Sequence, residues 1–237
     1  MGYKFMWWLY KSILIGPAMR VVFRPTAIGV ENIPAKGPVI LASNHLSWTD
    51  WIFTPLLISR RITFVAKAEY FTTPGFKGAL QKFFFTSAGQ VPIARGNASA
   101  AEGALEASRE VLRNGGVMGI YPEGTRSHNG KLYRGRTGVA RLAIEMGVPV
   151  VPVGLKGTYE IAPSGKTFGK IVRPTVTFGK PLDFSRYEGM ENDRFILRAV
   201  TDEIVYEILK LSGQEYVDLY ATDAKKKDRE ARSAKKA

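Results

Sequence analysis

The amino-acid sequence predicts an α/β fold: a mostly parallel or mixed central sheet with helices on both faces, plus an N-terminal membrane-interfacial helix. Short apolar runs typical of buried strands alternate with longer segments of helical periodicity. Polar side chains directly follow several of these runs, as they do where parallel strands end beside a ligand. The apolar, aromatic N-terminal segment contains no uninterrupted apolar run of the roughly 18 residues that a spanning helix needs.

The α/β prediction rests on individual segments taken in chain order. Runs of Val, Ile and Leu bounded by Gly, Pro or small polar residues predict strands at 38–43, 61–66, 90–94, 117–121, 148–154 and 171–178. Helical periodicity predicts helices at 49–59, 98–113, 137–146 and 193–211. The Phe-rich segment 70–88 is interpreted as a core helix or as the lining of an apolar groove, and 24–36 as irregular. These segments divide the chain into an interfacial helix (1–24), an α/β domain (25–212) and a basic tail, helical or disordered (213–237).

Residues 1–24 are predicted to lie along a membrane surface. Trp7 and Trp8 favour the membrane–water interface. Lys4 and Lys11 fall on one helical face, from which their long side chains can reach the aqueous side. The alternative is a helix docked on the core of the domain itself.

The composition of the chain restricts its chemistry and its partners. The 237 residues include no cysteine, which excludes disulfides, thiol nucleophiles and cysteine-bound metals. The net charge of +13 suggests an anionic partner, and residues 224–237 carry seven Lys/Arg against two Asp/Glu. A basic nucleic-acid- or membrane-binding module is the non-enzyme alternative. No helix-turn-helix or RNA-recognition signature is present, so a nucleic-acid partner is not expected.

His45 and Asp50 are the candidate catalytic residues. His45 follows the predicted strand 38–43, and Asp50 comes five positions later. Within one straight helix these side chains would be about 500° apart, so they can meet only if His45 lies in the turn and Asp50 in the first helical turn. A carboxylate on one ring nitrogen lets the other nitrogen take a proton from a substrate hydroxyl. The alternative is structural, since Ser47 and Asp50 also fit a helix capping box.

Further charged residues follow other predicted strands. Lys67 ends the second strand, Arg95 ends the third, and Glu123 and Arg126 follow the fourth. If the strands are mostly parallel, these side chains face one crevice together with His45. A base, a carboxylate and several cations suit a hydroxyl substrate that carries a phosphate, because Arg grips phosphate oxygens in pairs and Lys acts as a point charge.

Four segments together resemble the glycerolipid acyltransferase family, which includes bacterial 1-acyl-sn-glycerol-3-phosphate (lysophosphatidate) acyltransferases. Asn44-His45-x4-Asp50 resembles the first motif of that family, and residues 121–127, YPEGTRS, match its third and most specific motif. Residues 89–95, GQVPIAR, resemble the second, and 150–154, VVPVG, the fourth. The similarity covers about residues 30–180. In the second motif the chain departs from the family, with Pro92 and Ala94 where Phe and an acidic or aromatic residue are common.

The resemblance implies a reaction and roles for individual residues. His45 would deprotonate the acceptor hydroxyl, which attacks an acyl thioester on coenzyme A or acyl carrier protein, and Asp50 would orient His45. No metal and no other cofactor is expected. The acceptor would be lysophosphatidate or, alternatively, glycerol 3-phosphate, another lysolipid or a glycolipid. The resemblance implies that the glycerol phosphate is bound by Arg95, Glu123, Gly124, Thr125 and Arg126 and that Pro152 lies on the acyl-chain side. Lys67 is added as a binding residue because of its position at the end of a predicted strand.

The implied location is the cytoplasmic face of the cell membrane, as a peripheral or monotopic protein. Two other enzyme classes are weaker interpretations. A serine hydrolase would need G-x-S-x-G, which does not surround Ser47. A phosphate-binding P-loop would need a glycine where Glu160 precedes Gly165-Lys166-Thr167. His128 lies in a Gly/Asn-rich loop and is expected to be exposed rather than catalytic.

Overall fold

The computed structural model describes residues 2–93 and 98–234. The helices are α1 (Gly2–Leu9), α2 (Gly16–Phe23), α3 (Asp50–Leu57), α4 (Glu69–Thr72), α5 (Gly75–Ser87), α6 (Ala98–Arg113), α7 (Gly138–Met146), α8 (Thr158–Ile161), α9 (Arg194–Ser212) and α10 (Ala221–Ala234). The strands are β1 (Thr26–Ile28), β2 (Val39–Ser43), β3 (Ile62–Lys67), β4 (Gln90–Ile93), β5 (Val117–Ile120), β6 (Leu132–Tyr133), β7 (Val150–Lys156), β8 (Thr175–Phe178) and β9 (Tyr216–Val217). A short π-helix (Tyr10–Leu14) joins α1 to α2.

The central sheet is mostly parallel. Its seven strands lie in the order β1-β8-β7-β2-β5-β3-β4, and β6 pairs separately with β9. The strands β7, β2, β5, β3 and β4 run parallel, whereas β8 is antiparallel to β7 and β1 is parallel to β8. The predicted mostly parallel or mixed sheet is therefore confirmed. Because these five strands share a direction, their carboxyl ends lie along one edge of the sheet.

Strand β2 lies in the middle of the sheet and is buried along its whole length. Ile40 and Ala42 pack with residues of α6, α7 and α9, whereas Val39 and Leu41 pack with residues of α2 and α3. Successive side chains of a strand point to opposite faces, so a strand that is apolar throughout needs cover on both sides. The prediction of helices on both faces is confirmed.

The structure differs from the sequence prediction at the edge of the sheet. Strand β1 lies within 24–36, which was expected to be irregular, and pairs in parallel with β8. The predicted strand 171–178 begins only at Thr175, after Pro174, which has no N–H for a strand partner. The Pro174 carbonyl instead accepts from the Thr26 N–H at 2.9 Å. Three residues of β1 are too few to carry a periodic signal, so only the pairing reveals the strand.

The N-terminal helices dock on the domain and still present an apolar outer surface. The Lys11 ammonium donates to the carbonyl of Ile58 at the end of α3, and the rings of Tyr10 and Phe84 lie 5.3 Å apart. Burial, followed by the charge of Arg20, lowers the pKa of Lys11 to about 8. Among the residues described, no helix is long and apolar enough to cross a membrane. The large apolar side chains exposed on this segment are Phe5, Trp8, Ile13, Leu14, Val21 and Val22.

The basic C-terminal segment folds back onto the domain. Helix α9 ends at Ser212, and Gly213 closes it with the left-handed backbone (φ +63°) that glycine adopts most easily. The chain then pairs β9 with β6 and continues as α10. Ala221 and Ala224 of α10 are buried together with Tyr133. This packing places the tail helix against the loop that follows β5.

Candidate active site

His45 and Asp50 lie side by side at the carboxyl edge of the sheet. His45 follows β2 by two residues, and Asp50 is the first residue of α3. His45 Nδ1 and Asp50 Oδ2 are 2.8 Å apart. The Asp50 side chain is inaccessible to solvent, whereas that of His45 is 17% exposed. Because the carboxylate accepts the bond, Nδ1 carries the ring proton and Nε2 is left as the basic nitrogen.

Asp50 has a structural role in addition to its pairing with His45. Its Oδ2 accepts from the backbone N–H groups of Leu46 at 2.7 Å and Ser47 at 2.8 Å. The second of these bonds resembles the backward reach of a capping box, so the catalytic and structural interpretations coexist. Ser47 is 1% exposed, and its Oγ accepts from the N–H of Thr49 at 3.1 Å. A serine so buried is poorly placed to act as a nucleophile.

The buried carboxyl group of Glu123 holds the His45 turn in place through hydrogen bonds to backbone N–H groups. It is only 2% exposed. Its Oε1 accepts from the His45 N–H at 2.9 Å, and its Oε2 accepts from the Tyr133 N–H at 3.1 Å. Burial, reinforced by the charge of Asp50, raises the pKa of Glu123 to about 8 and outweighs the lowering effect of these N–H donors. Both oxygens accept backbone N–H bonds away from solvent, so Glu123 positions the His45 turn, and its role in binding the glycerol phosphate stays a prediction.

An aromatic stack fixes the imidazole plane. The Tyr121 ring lies nearly parallel to the His45 ring, with centroids 3.9 Å apart and planes at 11° to each other, and the Phe64 ring lies nearly parallel to Tyr121 with centroids 5.5 Å apart. Gly119 makes room for this arrangement, because a Cβ there would lie 2.3 Å from the Phe64 ring. Burial raises the pKa of Tyr121 well above its usual value, so its hydroxyl stays neutral. Tyr121 belongs to the third motif, but the sequence predicted no role for it.

Asn44 holds the end of β2 in place. Its side chain is fully buried, donating to the Leu155 carbonyl at 3.0 Å and accepting from the Leu155 N–H at 2.8 Å. The same amide donates to Gln214 at 2.7 Å, which joins β2 and β7 to the segment after α9. On the other side, the Ser127 N–H donates to the His45 carbonyl at 2.7 Å. The His45 turn is therefore bonded on both sides before any substrate arrives.

Three predicted binding residues lie together on the loop after β5. Gly124 has a backbone φ of +70°, the left-handed region that glycine favours, and is exposed. Thr125 is half-buried, and its Oγ1 accepts from the Lys225 ammonium at 3.0 Å. Arg126 is exposed, so its guanidinium is accessible to a ligand. The structure thus brings these residues close to His45, because the neighbouring Ser127 bonds directly to the His45 carbonyl.

The remaining predicted residues lie elsewhere or outside the described part. Lys67 is the last residue of β3, and its side chain lies outside what the structure describes. Arg95 follows β4 and also lies outside the described residues. Pro152 is buried in β7, where it packs against Gly179; a Cβ on Gly179 would lie 2.8 Å from the Pro152 ring. A role for Pro152 on the acyl-chain side stays a prediction.

The His45 turn and the loop after β5 both lie within the part of the chain that matches a family model. That model is described as acyltransferase, and it matches residues 24–156. The chain belongs to the acyltransferase family. The matched residues include the imidazole–carboxylate pair and the YPEGTRS segment, while α9 and α10 lie beyond them.

Individual relatives agree with this family assignment. A chloroplastic 1-acyl-sn-glycerol-3-phosphate acyltransferase, BAT2, from Brassica napus is 33% identical over 158 residues, or 66% of this chain and 43% of the relative. A 1-acyl-sn-glycerol-3-phosphate acyltransferase from Bacillus subtilis is 27% identical over 189 residues, covering 78% of this chain and 86% of the relative. The chain spans less than half the length of the Brassica relative.

The fold also agrees with a solved structure. The crystal structure of the 1-acyl-sn-glycerophosphate (LPA) acyltransferase PlsC from Thermotoga maritima matches this chain with a TM-score of 0.63 and 26% sequence identity. The match covers 88% of this chain and 79% of that chain. The family likeness therefore extends through most of the fold, well beyond the residues that carry the motifs.

Proposed function

We propose that this acyltransferase-family chain transfers a fatty acyl group from an acyl thioester to the free hydroxyl of lysophosphatidate, which gives phosphatidate. The observation that carries the proposal is the His45–Asp50 pair, an oriented imidazole with one free nitrogen at the carboxyl edge of the sheet. The Brassica, Bacillus and Thermotoga relatives all bear names that specify acylation of a 1-acylglycerophosphate, and this supports the choice of acceptor.

The chemical step follows from the tautomer of His45. Nε2 takes the proton of the acceptor hydroxyl as the oxygen bonds to the thioester carbonyl carbon. The carbon–sulfur bond then breaks, and the departing thiolate recovers the proton from the imidazolium. Each turnover therefore forms one ester and releases one free thiol, with no net change in charge or oxidation state. No acyl-enzyme intermediate is needed, because the thioester is already activated.

Two neighbours of His45 are placed to interact with the imidazolium that forms during the reaction. The carboxylate of Asp50 lies 2.8 Å from Nδ1, which stabilises positive charge on the ring. The face of Tyr121 stacks on the imidazole at 3.9 Å, and an aromatic face attracts a cation. Both groups are in place before the proton moves, so little reorganisation is required.

The acceptor phosphate is proposed to bind at the loop of Gly124 to Arg126. Arg126 is exposed, and no carboxylate of the described residues pairs with it. An unpaired guanidinium beside a catalytic turn suits a phosphate, which it can bind through two parallel hydrogen bonds. We include Arg95, which follows β4 in the sequence, and Lys67, the last residue of β3. The donor is proposed to be acyl-CoA or acyl carrier protein.

A peripheral position at the cytoplasmic face of the membrane is part of the proposal. Helices α1 and α2 expose a row of apolar side chains, as described above. Helix α5 packs against α1 and exposes Phe76, Leu80 and Phe83, which repeat at helical spacing on one face. Exposed apolar surface of this kind is typical of proteins that lie at the lipid interface. The acceptor and the product are themselves lipids, so such docking would place the site where they reside.

The test of the reaction is a substrate panel with the purified full-length protein. Lysophosphatidate, glycerol 3-phosphate and an uncharged monoacylglycerol are offered with acyl-CoA or acylated carrier protein, and product positions are read by mass spectrometry. We expect phosphatidate as the main product. Preference for glycerol 3-phosphate would reassign the acceptor, and thioester hydrolysis without any acylated acceptor would refute acyl transfer.

The membrane proposal is tested by liposome co-sedimentation at low and high salt. Removing residues 1–22 should release the protein from anionic liposomes, because it removes the exposed apolar side chains of α1, of α2 and of the π-helix between them. Removing residues 224–237 should weaken binding mainly at low salt, where the attraction of basic residues to anionic lipid is little screened. Full pelleting at high salt after loss of residues 1–22 would show that these helices serve only the domain core.

A further inference from the structure

Helix α10 packs directly on the loop that carries the proposed phosphate-binding residues. Its Ala221 and Ala224 are buried against Tyr133. Asp228 Oδ2 lies 2.5 Å from His128 Nε2, which fixes the helix further along the same loop. This segment was predicted only as a basic tail, helical or disordered. Its docked position places one of its cations beside the candidate active site.

That cation is Lys225. Its ammonium donates to Thr125 Oγ1 at 3.0 Å and to the carbonyl of Arg126. An ammonium has three donors, so one remains after these two bonds. The next two residues of α10, Lys226 and Lys227, are exposed, whereas Lys225 is half-buried. The inward position is therefore particular to Lys225 and does not follow from the basic composition of the tail.

The charged groups around Lys225 favour the binding of an anion. Burial, followed by the charge of Arg126, lowers the pKa of Lys225, while buried Glu123 acts in the opposite direction. In the described part of the chain, no carboxylate lies within 4.0 Å of the Lys225 ammonium or the Arg126 guanidinium. Two cations are thus held near each other without a counterion, an unfavourable arrangement that a bound phosphate dianion would neutralise.

We propose that Lys225 binds the phosphate of the acceptor lysolipid together with Arg126, so that the C-terminal helix completes the phosphate subsite. This inference rests on the proposed function and adds a residue that lies beyond the family match at 24–156. The residue separation from Thr125 to Lys225 is 100 positions, so only the folded chain brings them together.

A purely structural role for Lys225 makes a different prediction. If the ammonium only held the loop through Thr125 and the Arg126 carbonyl, its loss would lower turnover of every acceptor alike. A phosphate ligand, in contrast, affects KM for phosphorylated acceptors and leaves kcat and uncharged acceptors nearly unchanged. The two roles therefore separate in a comparison of lysophosphatidate with monoacylglycerol.

The experiment uses the full-length protein with both acceptors in matched micelles. Lys225→Met keeps the length of the side chain and removes its charge, Lys225→Arg restores a cation, and Lys226→Met is the matched control on the exposed face. We expect Lys225→Met to raise the KM for lysophosphatidate about tenfold or more, which is the effect of a lost charge-assisted hydrogen bond. Lys225→Arg should recover much of this loss, and Lys226→Met should stay within about twofold of wild type.

A binding measurement separates this inference from the proposed function. The affinity of the His45→Ala protein for lysophosphatidate is measured with and without Lys225→Met, so turnover plays no part. Lysophosphatidate binding that depends on Lys225 without any acyl transfer by wild type would refute the proposed reaction and keep the subsite. An unchanged KM and affinity in Lys225→Met, equal loss on both acceptors, or no preference of wild type for the phosphorylated lipid would overturn the Lys225 proposal.

Discussion

The chain contains two histidines, and each lies beside an aspartate. His45 Nδ1 is 2.8 Å from Asp50, and His128 Nε2 is 2.5 Å from Asp228. The imidazoles are also similarly covered, with side-chain exposures of 17% and 13%. The two pairs differ in the carboxylate, since Asp50 is fully buried whereas Asp228 is 51% exposed.

The difference shows that burial of the carboxylate, and not its contact with an imidazole, distinguishes the proposed catalytic pair. Asp50 is held by the N–H groups of Leu46 and Ser47, so it cannot turn away from His45. Asp228 lies on α10 and is 51% exposed, so solvent screens its charge. His128, which was expected to be exposed, is instead 13% exposed, paired with Asp228 and stacked on the ring of Tyr133.

The largest effect is expected at His45. His45→Ala should lower acyl transfer by about 10²–10⁴-fold, because it removes the proposed general base. His128→Ala is the matched control and should retain activity within a few-fold. Both variants are checked for folding by circular dichroism and then assayed with lysophosphatidate. Equal activity of the two variants would remove the distinction between the pairs.

Removing the charge of Asp50 should lower activity far more than removing the charge of Asp228. Asp50→Asn should cost about 10²-fold or more, because an amide that donates to Nδ1 would favour the wrong tautomer of His45. Asp228→Asn should change activity little, since its charge is screened by solvent. Initial rates and thermal stability are measured for both proteins. An active Asp50→Asn that is merely less stable would leave Asp50 with only its capping role.

A smaller effect on activity is expected from Arg126, the cation proposed to bind the acceptor phosphate near His45. Arg126→Ala should raise the KM for lysophosphatidate by roughly ten- to a hundredfold, which corresponds to about 1.5–3 kcal/mol for a charge-assisted hydrogen bond. The affinity for the acyl thioester should change much less. Steady-state kinetics with each substrate varied in turn measure both effects. Unchanged use of lysophosphatidate, or equal use of monoacylglycerol by wild type, would contradict a phosphate role.

Glu123 should make the stability of the protein depend on pH. Its pKa is raised from 4.5 to about 8, so the folded state holds a proton that the unfolded chain has already released. Its contribution to the free energy of unfolding is therefore complete below pH 4.5 and is lost as the pH rises toward 8.

The matched variant for this effect is Glu123→Gln, which cannot titrate. Urea denaturation across this pH range should show that wild type loses on the order of 1 kcal/mol or more relative to Glu123→Gln. The amide of Gln cannot accept both N–H bonds from His45 and Tyr133, so a constant offset in stability is also expected. Denaturation curves that stay parallel at every pH would show that Glu123 is ionised in the folded protein.

Local patterns in the sequence were sufficient to predict the strands and helices that form the site. The apolar run of β2, the periodicity of α6 and the strand before Glu123 all produce signals within a few residues, because strand and helix periods are local properties. The spacing of His45 and Asp50, with the motif that contains Arg126, was sufficient to identify the candidate pair and the family. These features depend on neighbouring residues and on chemistry that each motif carries by itself.

Other features were decided only when distant segments packed together. Burial placed both oxygens of Glu123 on the N–H groups of His45 and Tyr133, and the absence of a side chain on Gly119 leaves space for the Phe64 ring beside Tyr121. Lys225 reached Thr125 across 100 positions. Sequence periodicity reports which face of an element is apolar, but it does not report which distant surface that face meets. The burial, the ring stacking and the pairing of charges follow from those contacts, and so only the tertiary structure determined them.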